Sequence, residues 1–192
     1  SGLAFGHIRD DDNRCRRILR LSRPRHGGTD ITTITEQKAA ARETAFAARK
    51  LAFAAGQGTA AARLADYLRP YGDKPLAGHM AMRPETDPAA AMAAHAGAVG
   101  VPVILGPGQA LKCRRWTPGC TMITGDFGAL IPAEGDWIEP EVLIVPLVAW
   151  DRRGFRLGYG GGFYDRTLEG VRAKRPTLAT GFALAAHEQP AI

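Results

Sequence analysis

From Thr33 onward the chain switches between helical spacing of apolar residues and short continuous apolar runs. Thr33 and Glu36 stand three apart, as in a capping box, ahead of an Ala-rich stretch over 39–55 that carries Arg and Lys at intervals. That pattern predicts a helix closed by Gly56. A second helix is predicted over 59–68, stopped by Pro70. Short segments then alternate: a strand over 76–82, a helix over 88–98 with Pro88 in its first turn and Asp87 as its cap, and strands over 101–105 and 110–114. The run Val-Leu-Ile-Val-Pro-Leu-Val over 142–148 has no polar position and predicts a strand buried on both faces. A helix over 162–174 and a strand over 177–184 complete the pattern.

Short strands alternating with helices are the mark of a largely parallel sheet covered on both faces. The predicted fold class is α/β, a single three-layer α/β/α domain with a mostly parallel sheet, over residues 31–192. Residues 1–30 differ: the acidic triplet Asp10, Asp11 and Asp12 meets an Arg cluster, and Pro24, Gly27 and Gly28 close the segment. A flexible extension outside the fold is expected there. It holds no apolar run of signal-peptide length, and the acidic triplet argues against a transit peptide.

With 192 residues, 45% of them hydrophobic and 23% charged, the chain is long and apolar enough to pack a core, which excludes wholesale disorder. No apolar run approaches the roughly 18–20 residues of a membrane span. Cys15, Cys113 and Cys120 form no Cys-x-x-Cys and accompany no His pair at zinc spacing. Neither a disulfide scaffold nor a structural zinc site is expected, and a cytoplasmic setting is. The formal net charge is +6, of which residues 1–30, with seven Arg and four Asp, supply +3. The thin positive field left on the rest suits an anionic small ligand. A basic arm over 9–25 would serve nucleic acid only with stacking surface nearby, so nucleic acid is not an expected partner.

Candidate chemistry concentrates over 151–168, Asp-Arg-Arg-Gly-Phe-Arg-Leu-Gly-Tyr-Gly-Gly-Gly-Phe-Tyr-Asp-Arg-Thr-Leu, between the buried run and a helix. Open α/β sheets bind ligands beyond the carboxyl ends of their strands. Gly158, Gly160, Gly161 and Gly162 strip side chains from the turn, so backbone N–H groups can converge on an oxyanion, and the helix that follows adds its positive end. Arg156 precedes the turn and Arg166 follows it. No Gly-Lys-Ser/Thr makes it a Walker A loop, and Phe163 breaks a Gly-x-Gly-x-x-Gly pattern. Four glycines alone also suit a tight strand-to-helix connection. Asp165 beside an anion cradle needs an intervening cation, magnesium being the usual one, or else is a helix N-terminal acid favoured by the dipole. Lys38 and Arg42, four apart, share a helix face and could grip a polyphosphate, although such a pair is more often a solvated face. His79, His95 and His187 are isolated, and neither cysteine after residue 100 has a partner base, so a covalent hydrolase has no support.

The run from Val145, VPLVAWDRRGFRLGYGGGFYDRTL, resembles the signature of the 5-formyltetrahydrofolate cyclo-ligases, also called methenyltetrahydrofolate synthetases. Pro146, Asp151, Gly154, Arg156, Leu157, Gly158, Gly160, Gly162, Tyr164 and Asp165 fall where that family's pattern has them, and the similarity runs from about Thr35 to the last residue. The resemblance implies an ATP- and magnesium-dependent enzyme of one-carbon metabolism. It would convert 5-formyltetrahydrofolate to 5,10-methenyltetrahydrofolate through a phosphorylated formyl intermediate, releasing ADP and phosphate. It implies ATP contacts from Lys38, Arg42, Arg156, Leu157, Gly158, Tyr159, Gly160, Gly161, Gly162, Phe163 and Tyr164, and a magnesium ligand in Asp165. Folate contacts would come from Met80, Glu85, Tyr159, Gly160, Gly161, Gly162 and Phe163. Glu85 would accept from the pterin's amino and ring N–H groups and Met80 would form an apolar wall. On the residues alone, Met80 and Met82 read as core strand and Glu85 as a loop acid. No side-chain nucleophile is required, and a monomer is expected.

The loop over 116–119 also matches the family and is given no role. Departures are Ile104-Leu105-Gly106, where Leu-Pro is common, and Ile131-Pro132, where Glu-Pro is common. The chain stops at Ile192, before the His-Asp pair whose Asp is the family's second magnesium ligand. The expectation is a core that folds but is catalytically impaired, the alternative being a truncated, non-catalytic folate- or nucleotide-binding relative.

Overall fold

Helix α1 (Ile34–Ala54) starts where the capping-box spacing predicts. Thr33 Oγ1 accepts from the Glu36 N–H at 3.2 Å, and the Glu36 carboxylate accepts from the Thr33 N–H at 2.6 Å. Gly56, at φ +79°, takes the left-handed conformation that releases the chain from the helix. The structure is a computed structural model and describes residues 3–4, 33–82, 84–184 and 188. Most of the predicted extension over 1–30, with Cys15, and also His187 and 189–192 lie outside the described residues.

Helix α2 (Ala60–Leu68) ends as predicted ahead of Pro70, which sits inside a single 3-10 turn, Arg69–Tyr71. The central sheet has six strands in the order β11 (Leu178–Gly181), β8 (Val142–Val145), β2 (Leu76–Ala77), β3 (Val99–Val103), β4 (Lys112–Arg115) and β7 (Trp137–Ile138). The first four are mutually parallel, with Leu178, Val142, Leu76 and Val99 in one register row. β4 runs antiparallel to β3, because the link over 104–111 is too short for a crossover helix, and β7, antiparallel to β4, runs with the first four.

The alternation along β8 explains the layering. Val142 and Ile144 point into a core with Ala60, Leu64 and Leu68 of α2 and with Ala91 and Met92 of α3 (Ala89–Ala93). Leu143 and Val145 point the other way, toward Leu168 and Val171 of α4 (Phe163–Arg172). Both faces of the strand are covered, as its unbroken apolar run requires. Each buried Val, Leu or Ile side chain of this kind contributes about 1.5–3 kcal/mol relative to exposure.

Several boundaries differ from the sequence pattern. The strand expected over 76–82 is only Leu76–Ala77, and residues 78–82 leave the sheet as a loop. The buried strand expected over 142–148 stops at Val145, because Pro146 has no N–H for the ladder. The helix expected over 88–98 is the five-residue α3. Asp87 does cap it, accepting from the Ala89 N–H at 2.9 Å, but the His95 ring nitrogen bonds the Lys74 carbonyl at 2.8 Å and pulls the chain into a turn. The last predicted strand breaks at Phe182 into β11 and β12 (Ala183–Leu184), the latter paired with β1 (Leu3–Ala4). Two hairpins have no counterpart in the sequence pattern: β5 (Met122–Thr124) with β6 (Leu130–Pro132), and β9 (Ala149–Trp150) with β10 (Arg156–Leu157).

Candidate active site

Two loops meet at the carboxyl ends of the parallel strands. The first, 78–88, follows β2. Gly78 is needed where the chain leaves the sheet, since a Cβ there would lie 2.5 Å from the Met92 sulfur. A tight turn, Glu85 N–H to Met82 carbonyl at 2.6 Å, folds Glu85 back so that its Oε2 accepts from the Met82 N–H at 2.9 Å. The carboxylate is thereby buried, at 7% exposure.

The second loop follows β8 as the β9–β10 hairpin and the glycine turn. Asp151, 1% exposed, organises the hairpin: its Oδ1 accepts from the N–H groups of Arg153 and Phe155 at 2.9 and 3.1 Å, and its Oδ2 from the Arg153 guanidinium at 2.7 and 2.9 Å. Replacing Asp151 with Ala leaves those N–H donors unmet and is expected to cost about 2–3 kcal/mol. A lower urea midpoint with unchanged m-value checks it.

The glycine turn is tied to both α1 and the first loop. Arg42 Nε donates to the Gly158 carbonyl at 2.9 Å. The Tyr159 hydroxyl donates to Glu85 Oε1 at 3.2 Å and accepts from Arg49 Nη1 at 3.1 Å. Arg49 Nη2 stands 4.0 Å from Glu85 Oε1, with both side chains buried. Burial, and next the Glu85 charge, push the Tyr159 hydroxyl above its ordinary pKa, so it stays protonated and able to donate. Gly160 and Gly162 have φ of +105° and +67°, where a side chain is strained. At Gly162 a Cβ would also meet Arg166 Nη1 at 2.7 Å. Arg166 donates to the Gly161 carbonyl at 2.8 Å and to the Gln109 carbonyl at 3.3 Å, closing the turn from the far side. Four arginines, Arg42, Arg49, Arg156 and Arg166, thus border a glycine-rich turn at the positive end of α4.

The remaining predicted site residues fall as follows. Lys38 lies exposed one helical turn before Arg42. Leu157 packs into a small core with Ala45, Val148 and Ala149, and its carbonyl accepts from the Val148 N–H at 2.7 Å. Met80 is half-buried against the α2-side core. Asp165 is exposed and forms an ion pair with Arg156. Tyr164 packs against the α4-side core, where burial, with Cys113 and Glu85 adding to it, pushes its hydroxyl pKa up. The Phe163 ring meets Phe127 edge to face at 6.4 Å and lies 5.2 Å from the Arg166 guanidinium. Among the described residues no group of three or more His, Cys, Asp or Glu could hold a metal ion. Arg49 and Phe46 escape the sequence pattern, although Arg42, Phe46 and Arg49 continue one face at i, i+4 and i+7.

His79 is buried beside this loop, its Nδ1 without a hydrogen-bond partner, and burial holds its pKa below the ordinary value despite Glu85 and Asp87. The folded protein therefore keeps His79 neutral while the unfolded chain takes up a proton below about pH 6.5. Its contribution is complete above that pH and is lost as pH falls, at most about 1.4 kcal/mol per unit. Urea midpoints between pH 7 and 5 are expected to fall less steeply in His79→Asn than in the parent; equal slopes would contradict it.

The pattern of the 5-formyltetrahydrofolate cyclo-ligase family matches residues 76–189. A 5-formyltetrahydrofolate cyclo-ligase of Mycolicibacterium smegmatis is 39% identical over 75 residues, 36% of this chain and 38% of that protein. The protein of the same name from Escherichia coli K12 is 72% identical over 29 residues, 15% of this chain and 16% of that protein. The chain thus spans well under half the length of the curated relatives it matches. The solved structure of Aquifex aeolicus 5,10-methenyltetrahydrofolate synthetase aligns with a TM-score of 0.64 at 22% identity over 81% of each chain. That of the Mycoplasma pneumoniae synthetase aligns with a TM-score of 0.53 at 19% identity, covering 72% of this chain and 81% of the other. At these identities the likeness is one of fold, a mixed α/β architecture around a mostly parallel sheet.

Proposed function

The chain belongs to the 5-formyltetrahydrofolate cyclo-ligase family, and on that footing we propose that it converts 5-formyltetrahydrofolate to 5,10-methenyltetrahydrofolate with ATP as co-substrate. The observation that carries this reading is the double tether of the glycine turn. Gly158 is held by Arg42 of α1 and Tyr159 by Glu85 of the 78–88 loop. A cationic helix, an amide-lined turn and a buried carboxylate therefore share one cleft, which is what joining a polyphosphate to a pterin demands.

In this reading the formyl oxygen attacks the terminal phosphorus of ATP and ADP departs. N10 then attacks the activated carbon and gives up its proton to solvent, and phosphate leaves with the former formyl oxygen, giving the methenyl bridge. Lys38 and Arg42 hold the triphosphate, while the amides of 158–162 with Arg156 and Arg166 hold the group in transit. Glu85 accepts from the pterin amino and ring N–H groups, Met80 flanks the ring, and Phe163 and Tyr159 border it. No side chain needs to act as nucleophile.

Asp165 is a single carboxylate beside Arg156, a donor set that suits a magnesium ion arriving on nucleotide phosphate oxygens rather than one caged by protein alone. Such an ion would neutralise phosphate charge. We also place the chain in the cytoplasm, where the free thiols of Cys113 and Cys120 would stay reduced, and take it to act as a monomer. The test is the growth of methenyl absorbance on mixing protein, ATP and 5-formyltetrahydrofolate, with equimolar ADP. Product is expected only when both substrates are present. Folate binding with no ADP released would identify a non-catalytic relative, and no binding at all would sink the proposal.

A further inference from the structure

Helix α1 carries an arginine that neither the Lys38–Arg42 pair nor the glycine turn accounts for. Arg49 is 1% exposed, so its charge is out of water, a costly placement unless its donors are met. Only Nη1 has a hydrogen-bond partner, the Tyr159 hydroxyl; Nε and Nη2 have none. Nη2 faces Glu85 Oε1 across 4.0 Å, near enough for attraction and too far for a hydrogen bond. The rings of Phe46 and Tyr159, 5.7 and 5.8 Å from the guanidinium carbon, fix it there.

Glu85 has the opposite character. Its Oε1 accepts from the Tyr159 hydroxyl and its Oε2 from the Met82 N–H, so each oxygen keeps a further lone pair. Side by side in a buried place stand a donor short of acceptors and an acceptor with capacity to spare. Their complement is a cis-amide edge, an N–H beside a C=O. A 2,4-diamino ring reverses that edge, setting an acceptor ring nitrogen against Glu85 and a donor amino group against Arg49.

We infer that Arg49 is a substrate-binding residue that donates to the 4-oxo oxygen of the pterin while Glu85 takes the adjacent ring N–H, so that the pair reads the lactam edge. The inference rests on the cyclo-ligase reading and adds what the site discriminates: 4-oxo pterins are accepted and 2,4-diamino rings refused.

Calorimetric titration tests it, with 5-formyltetrahydrofolate and its 4-amino-4-deoxy counterpart as the two ligands. Wild type is expected to prefer the 4-oxo compound by about tenfold or more, as a site built around a hydrogen bond to its substrate does. Arg49→Met is expected to bind the 4-oxo compound more weakly and to lose a clear part of the preference, Glu85 still meeting the ring N–H. Arg49→Lys keeps the charge, but one ammonium cannot serve both Tyr159 and the ligand, so it should retain only part of the preference. The ratio of affinities does not depend on the fraction of variant that folds. An undiminished preference in Arg49→Met, or no preference in wild type, overturns the inference alone. Wild type that binds neither ligand removes the cyclo-ligase reading and this inference together.

Discussion

Glu85→Gln is expected to raise the KM for 5-formyltetrahydrofolate by about two to three orders of magnitude, since it removes two charge-assisted hydrogen bonds to the ligand. The KM for ATP should change little. The amide oxygen of Gln can still accept from the Met82 N–H, so the 82–85 turn survives. The amide NH2 then points toward Arg49 and the ligand's own donors, where a carboxylate oxygen had accepted from Tyr159. Loss of the anion beside a buried guanidinium also lowers stability, so circular dichroism must accompany the kinetics. A folded Glu85→Gln chain with an unchanged folate KM would show that Glu85 does not meet the substrate.

Arg42→Met is expected to lower kcat/KM for ATP by about 10²–10³, the loss typical of removing one preorganised donor to a charged transition state. Arg42 spends Nε on the Gly158 carbonyl, which aims the rest of the guanidinium over the turn and frees its other nitrogens for phosphate. Lys38, exposed one turn away, keeps a charge nearby but supplies no fork. Folate binding in the absence of nucleotide, measured by calorimetry, should stay close to that of the parent. An ATP dependence identical to the parent's would remove α1 from the nucleotide site.

How far these features were legible depended on what each owed to its neighbours in sequence. The capping box at Thr33 and Glu36 and the apolar run at 142–145 are local, and both appear as the pattern predicts. The five-residue α3 is not local: its end is set by the His95 bond to Lys74 and by the crowding of Gly97 against the same carbonyl, where a Cβ would lie 2.7 Å away. The two unforeseen hairpins have strands of two or three residues, too short to show an alternation of period two. In the site, the glycines and the Arg42 spacing are visible because they form a contiguous motif. Arg49 is not, because a buried charge on an Ala-rich helix has the same pattern as a solvated one until Tyr159 and Glu85, 110 and 36 residues away, fold over it.

Helix α1 is 21 residues long, about 30 Å at 1.5 Å per residue. Of its described side chains only Ala45 and Arg49 are fully buried, and its bonds to the glycine turn come from Arg42 and Arg49. These anchors, Arg42 to Arg49, span two central turns and form a fulcrum for the helix. The fulcrum is made of the same arginines that would hold the substrates. Occupancy of the cleft and seating of the helix are then a single equilibrium, and whatever tightens one tightens the other.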